Sequence, residues 1–176
     1  NRNFIDGSSQ NIDGLGDLSI LVFYSLITPK MDGLYANQQT KFKHMLEIGG
    51  GVKIPTGAYD RANNEGSVNP SFQVGTGSWD YVLAANYSIG YENWGLGVLA
   101  NYTIKTENNA QYHFGDQFTY GVNLSKVYNT LKIDKIIPYA GLAGEVYAEN
   151  ENYGLPVADT QGNVLFARLG SEISFG

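Results

Sequence analysis

The chain has 176 residues, enough for one domain with a sizeable core, and its net charge of -6 excludes the basic surface that nucleic acid requires. Cysteine is absent, which removes disulfides, thiolate metal sites and a cysteine nucleophile. Only 16% of residues are charged, against about 25% in a soluble domain, and no run of about 18 apolar residues offers a transmembrane helix.

Residues 1–14 are polar and turn-rich, with Asp6-Gly7 and Asp13-Gly14, and read as loop. A first strand is predicted over roughly 15–27. Leu18, Ile20, Val22, Tyr24 and Leu26 share one face and Asp17, Ser19 and Ser25 the other, although Leu21 and Phe23 interrupt the polar side. A connection over 28–41 follows, with Pro29 and Asp32-Gly33.

The second strand, 42–54, alternates cleanly. Leu46, Ile48, Gly50, Val52 and Ile54 face one way, and Glu47, Gly49, Gly51 and Lys53 the other. Pro55-Thr56-Gly57 stops the ladder, because proline lacks the N–H and glycine permits the turn. After a polar loop, 78–89 sets Tyr81, Leu83, Ala85, Tyr87 and Ile89 against Asp80, Asn86 and Ser88. A tight turn at 90–93 leads to a strand over 94–105, with Trp94, Leu96, Val98, Tyr102 and Ile104 on one face and Gly95, Gly97, Asn101 and Lys105 on the other.

Three more strands are predicted. The first, 115–127, sets Phe118, Tyr120, Val122 and Leu124 against Asn123 and its neighbours. The second, 137–148, puts Ala140, Leu142 and Val146 opposite Glu145 and Tyr147. The last, 163–175, sets Leu165, Ala167, Leu169, Ile173 and Phe175 against Arg168 and Glu172.

These seven strands predict an all-β protein, an antiparallel transmembrane β-barrel with its apolar stripes facing lipid. The 22 glycines and 13 tyrosines fit a lumen that is polar but weakly charged. A soluble lipocalin-like barrel would turn the stripes inward, leaving faces of Gly, Ser and Asn too small and too weakly charged for a soluble surface. Bacterial single-chain barrels have even strand numbers. The chain also lacks an initiator Met and a signal peptide, and it stops in a strand-like run. The expectation is therefore a fragment of a larger barrel, with 1–176 in one domain. Short turns at 90–93 and 128–135 belong on the periplasmic side, together with the longer 28–41. Loops 55–75, 106–113 and 149–162 belong outside.

Three stretches carry a family resemblance: Gly14-Leu15-Gly16-Asp17, then Gly51-Val52-Lys53-Ile54-Pro55-Thr56-Gly57, then Gly75-Thr76-Gly77-Ser78-Trp79-Asp80-Tyr81. In this order and spacing the chain resembles the outer-membrane barrels of the "MetA-pathway of phenol degradation" family over most of 14–176. That family is loosely similar to fatty-acid-channel barrels. The resemblance implies a transporter in a Gram-negative outer membrane and a barrel of more than seven strands. It supplies no catalytic residues.

The expected lumen-lining residues are Glu47, Lys53, Asp80, Asn86, Asn101, Lys105, Asn123, Glu145, Arg168 and Glu172. They make either a charged constriction that selects solutes or a network packing a narrow or plugged interior. Trp79, Tyr81, Tyr87, Trp94 and Tyr102 are the expected interface aromatics. Pro55, Thr56, Gly57, Gly75, Thr76, Gly77, Ser78, Trp79 and Asp80 read as a turn and girdle, with a substrate gate as the sharper alternative.

The Asn-X-Ser/Thr triplets at Asn86, Asn101 and Asn123 fall mid-strand and read as lumen polar groups, not sugar sites. His44 and His113 have no partner at ligand spacing, and the acidic 149–159 loop lacks the oxygen spacing of a calcium site. No metal, cofactor or enzymatic activity is expected, because no nucleophile–base pattern occurs. The functional expectation is a passive channel or uptake barrel for small solutes, hydrophobic ones included. The alternative is a non-transporting accessory barrel in a cell-envelope complex. The expected partners are outer-membrane lipid and either a small solute or an envelope protein.

Overall fold

The structure, a computed structural model, describes residues 2–3, 9–10, 14–28, 42–59, 62–63, 66–67, 70, 73–129 and 135–174. Seven long strands dominate it: β1 Leu18–Ile27, β2 Phe42–Ile54, β3 Asp80–Tyr91, β4 Trp94–Ile104, β5 Gln117–Lys126, β6 Lys135–Tyr147 and β7 Gly162–Ser174. Each pairs antiparallel with its neighbours in sequence, so the sheet is a simple meander. No α-helix occurs among the described residues. The all-β, antiparallel expectation thus stands as observed. Among the described residues the sheet is open: β1 pairs only with β2, and β7 only with β6.

The strand limits differ from the sequence reading by up to three residues. β3 runs on to Tyr91, which pairs with Trp94, so the expected 90–93 turn narrows to Glu92-Asn93. Glu92 takes the positive φ (52°) that a two-residue hairpin loop needs at its first position. Within the expected N-terminal loop, Arg2–Asn3 pairs with Ser9–Gln10, so part of that polar segment doubles back as a short ladder. The expected connections across 29–41 and 130–134, parts of the 1–14 and 55–75 loops, and Phe175 lie outside the described residues.

The register sorts side chains into two faces, because directly opposed residues in an antiparallel pair point the same way. One face carries Leu18, Ile20, Ile48, Tyr81, Leu83, Trp94, Leu96, Val98, Phe118, Val122, Leu142 and Leu169, all exposed. The other is rich in glycine, serine, asparagine and threonine and carries most of the strand charges, together with Leu21, Phe23, Val82, Leu99, Ile137 and Phe166. Ala84 and Tyr112 are the buried hydrophobic residues among those described, so no apolar core lies between layers. The sheet is inverted relative to a soluble β-sandwich, where burial of the apolar face supplies the driving force.

Three directly opposed pairs set an aromatic ring over a glycine: Phe23 on Gly49, Tyr120 on Gly144, and Tyr139 on Gly170. A Cβ on any of these glycines would run into the ring. The bare backbone accepts the ring lying flat across the strand, which pins the register at those positions.

Candidate functional site

The small-residue face can be followed row by row across the sheet through the register. At one end of the strands, Lys53 of β2 stands opposite Asp80 of β3. Its ammonium is 2.7 Å from Oδ2 of Asp80 and 3.1 Å from Oδ2 of Asp17, just ahead of β1. The ammonium of Lys105, just past β4, lies 3.6 Å from the same Asp80 oxygen. The Asp80 side chain is fully buried and that of Asp17 is 6% exposed. Two carboxylates thus meet two ammoniums in a cluster that neutralises itself.

Backbone and hydroxyl groups complete the cluster. Asp17 Oδ1 accepts the Gly57 N–H at 2.9 Å, and its Oδ2 accepts the Thr76 N–H at 2.9 Å and the Thr76 hydroxyl at 2.8 Å. The Lys53 ammonium also donates to the Thr76 hydroxyl oxygen. Ser78 Oγ donates to Asp80 Oδ1 at 3.0 Å, and Asn108 Nδ2 donates to the Thr76 carbonyl at 2.9 Å. Burial by itself would raise the Asp17 pKa. The Thr76 and Gly57 N–H groups, the Thr76 hydroxyl and the Lys53 ammonium outweigh it and hold the carboxyl below its ordinary value of 3.8.

Two glycines allow this clamp. The backbones of Gly57 and Gly75 touch, and a Cβ on Gly75 would sit 2.5 Å from the Gly57 carbonyl oxygen. The Gly75 N–H reaches the Ala58 carbonyl at 2.9 Å. Gly77 takes φ +68° against the Tyr59 ring, a conformation open to glycine at no steric cost. The expected turn residues therefore strap segments 14–17, 55–59 and 73–79 across one end of the sheet. Thr56 joins them: its hydroxyl oxygen accepts the Leu18 N–H at 2.9 Å. Beyond this, Tyr112–His113, Asn150–Asn152 and Leu155–Val157 form a small three-stranded sheet in the loops.

At the opposite end, beside the Glu92-Asn93 turn, the same face is hollow. A cavity of about 620 Å³ takes its lining from all six strands β2 to β7, including Lys43, Ser88, Gly97, Asn123, Tyr139 and Arg168. Five inter-strand steps at about 4.8 Å span roughly 24 Å on a flat sheet. One hollow reaching all six strands means that the sheet curves, with this face concave. Two rows explain the space. Lys43, Gly90, Gly95, Ser125, Tyr139 and Gly170 stand in register, as do Met45, Ser88, Gly97, Asn123, Gly141 and Arg168. Glycine and serine hold half or more of each row.

The expected lumen residues separate into three groups. Lys53, Asp80 and Lys105 meet in the buried cluster. Asn123, Arg168 and Glu172 line the hollow. Glu47, Asn86, Asn101 and Glu145 occupy the rows between. There Glu47 accepts a bond from Ser25 Oγ at 3.2 Å, and Glu145 accepts one from Tyr147 OH. Trp79, Tyr81, Trp94 and Tyr102 are exposed at strand ends. Tyr87 lies on the same apolar face, its hydroxyl 2.7 Å from Nδ1 of His44. His113 Nε2 is 3.1 Å from the Lys105 carbonyl oxygen. Sequence reading did not single out Asp17 as a site residue, nor Lys43 or Asn108. Asp17 lay inside a quoted motif, but linear spacing carries no sign that it meets Thr76, 59 residues on.

No curated protein matches the chain. The model of the family described as "Putative MetA-pathway of phenol degradation" matches residues 1–171, and the chain belongs to that family.

Proposed function

We propose that the chain forms the wall of a bacterial outer-membrane β-barrel through which small solutes, hydrophobic ones included, pass without chemistry. The observation that carries this reading is the inverted sheet: its continuous apolar face is exposed while its concave face is rich in glycine, serine and asparagine. Water would penalise such a surface, whereas lipid matches it. The dimensions fit as well. Trp94 and Tyr102 lie on that face eight residues apart, about 27 Å at about 3.4 Å per residue, close to the apolar band of about 25 Å flanked by aromatic girdles. The family description adds a link to phenol degradation.

In this reading the concave face is the lumen wall. The neutral Asp17–Lys53–Asp80–Lys105 cluster closes off charge at one end, and the hollow receives solute at the other. The protein acts as a conduit, and Asp80, its most buried carboxylate among the described residues, is held by Lys53, Lys105 and the Ser78 hydroxyl.

Planar-bilayer conductance of the full-length protein tests the reading. Stepwise conductance is expected, with selectivity moving towards cations in Arg168→Glu. Silence from a folded barrel would contradict passage and favour the accessory-subunit alternative.

A further inference from the structure

We propose that the hollow beside the Glu92-Asn93 turn binds a small organic carboxylate with a planar apolar body, held by Arg168, with Lys43 adding to the positive charge of the lining. The proposal rests on the reading of the concave face as a lumen and names the solute class for it.

Charge is the first ground. At the far end of this face, Lys53 and Lys105 are matched by Asp17 and Asp80. In the hollow, Lys43 and Arg168 both contribute to the lining, and neither forms an ion pair among the described residues. Glu172 is the carboxylate of the lining, four residues from Arg168 on the same strand. That is about 13 Å along the strand, too far to neutralise the guanidinium. An anion entering here meets two cations against a single lining carboxylate, and neither cation is ion-paired among the described residues.

Geometry is the second ground. Asn123, Gly141 and Arg168 stand side by side on β5, β6 and β7. Gly141 contributes no side chain, and the Asn123 amide lies across its backbone, with Oδ1 where a Cβ of Gly141 would stand. A carboxylate in the hollow beside Arg168 can take a bidentate pair from the guanidinium.

The third ground is the shape of the floor. Gly90 and Gly97 present bare backbone, and a Cβ on Gly97 would meet nothing within 4 Å. A flat apolar ring can lie on this floor beside Tyr139, Met45 and Ile137. The volume of about 620 Å³ falls within the usual span of small-molecule sites, about 300–1,000 Å³.

The test is calorimetric titration of the full-length protein in detergent micelles, with benzoate as probe and benzamide as its neutral counterpart. Benzoate is expected to bind about tenfold or more tightly than benzamide, the worth of a charged hydrogen-bonded pair. Arg168→Gln is expected to abolish that preference. Gly97→Phe, which fills the hollow, is expected to abolish binding with the circular dichroism of the sheet unchanged. Should Gly97→Phe fail to fold, Arg168→Gln, on an exposed strand, still decides. Equal binding of the two probes, no binding of either, or benzoate binding undiminished in Arg168→Gln would overturn the proposal. Conductance without benzoate binding would retire this site alone. Binding without conductance would retire passage through the barrel and leave the site standing.

Discussion

The ammonium of Lys53 and the carboxylate of Asp80 meet at 2.7 Å on directly opposed positions of β2 and β3, and the Asp80 side chain is fully buried. A buried ion pair gains little over apolar residues of similar volume, but removing one partner leaves the other charge uncompensated. Asp80→Asn leaves Lys53 with Asp17 as its carboxylate and takes from Lys105 the one ion-pair partner it has among the described residues. It is expected to destabilise the folded protein by about 3–5 kcal/mol. Urea titration in detergent micelles, followed by tryptophan fluorescence, reads this directly. A loss under about 1 kcal/mol, the range of exposed pairs, would show that the cluster is solvated.

Asp17 links pH to the same cluster. Its folded-state pKa lies below 3.8, so folding favours the ionised form. The resulting stability is present in full above the unfolded value of about 3.8 and is lost as pH falls through the folded value. The stability gap between wild type and Asp17→Asn is therefore expected to be constant near neutral pH and to close below pH 3.8. Parallel urea titrations across that interval check it. A gap that closes near neutral pH would assign the linkage to another group.

A glycine of the straps and a glycine of the concave face are expected to respond oppositely to the same added methyl. At Gly75 a Cβ would lie 2.5 Å from the Gly57 carbonyl oxygen, whereas at Gly97 it would meet nothing within 4 Å. Gly75→Ala must part the two straps and is expected to cost about 1–3 kcal/mol, as overpacking does. Gly97→Ala is expected to be neutral or slightly stabilising, through a less flexible unfolded chain. Thermal unfolding of the two variants side by side distinguishes them, and equal losses would mean that the straps do not touch.

What the sequence made legible follows from the period of the strand. In β4, Trp94, Leu96 and Val98 alternate with Gly95, Gly97 and Leu99, and the exposed and half-buried positions alternate with them. Faces and strand order could be read because each strand pairs with its sequence neighbour. The turn chemistry of Gly57 and Gly75 was visible too, but not its purpose. A glycine forced by backbone contact with another glycine 18 residues away looks like any turn glycine. The site residues fared likewise. Alternation put Lys53, Asp80 and Arg168 on one face, yet it could not show that Lys53 is paired and Arg168 is not. That difference depends on which loops fold over which end, as when Asp17 reaches Thr76. The pairing of Tyr112–His113 with Glu151–Asn152 was hidden for the same reason: two loops meet in space without a shared pattern.

The central claim is that the exposed apolar face of this sheet lies against lipid and the glycine-rich face against water. Because the chain has no cysteine, single cysteines at successive positions from 96 to 101 can each carry a nitroxide in the protein reconstituted in bilayers. Power saturation then compares collisions with lipid-soluble oxygen and with a water-soluble nickel chelate. The account predicts that oxygen accessibility peaks at positions 96, 98 and 100 and nickel accessibility at 97, 99 and 101. Nickel accessibility peaking at 96, 98 and 100, or no alternation at all, would contradict it.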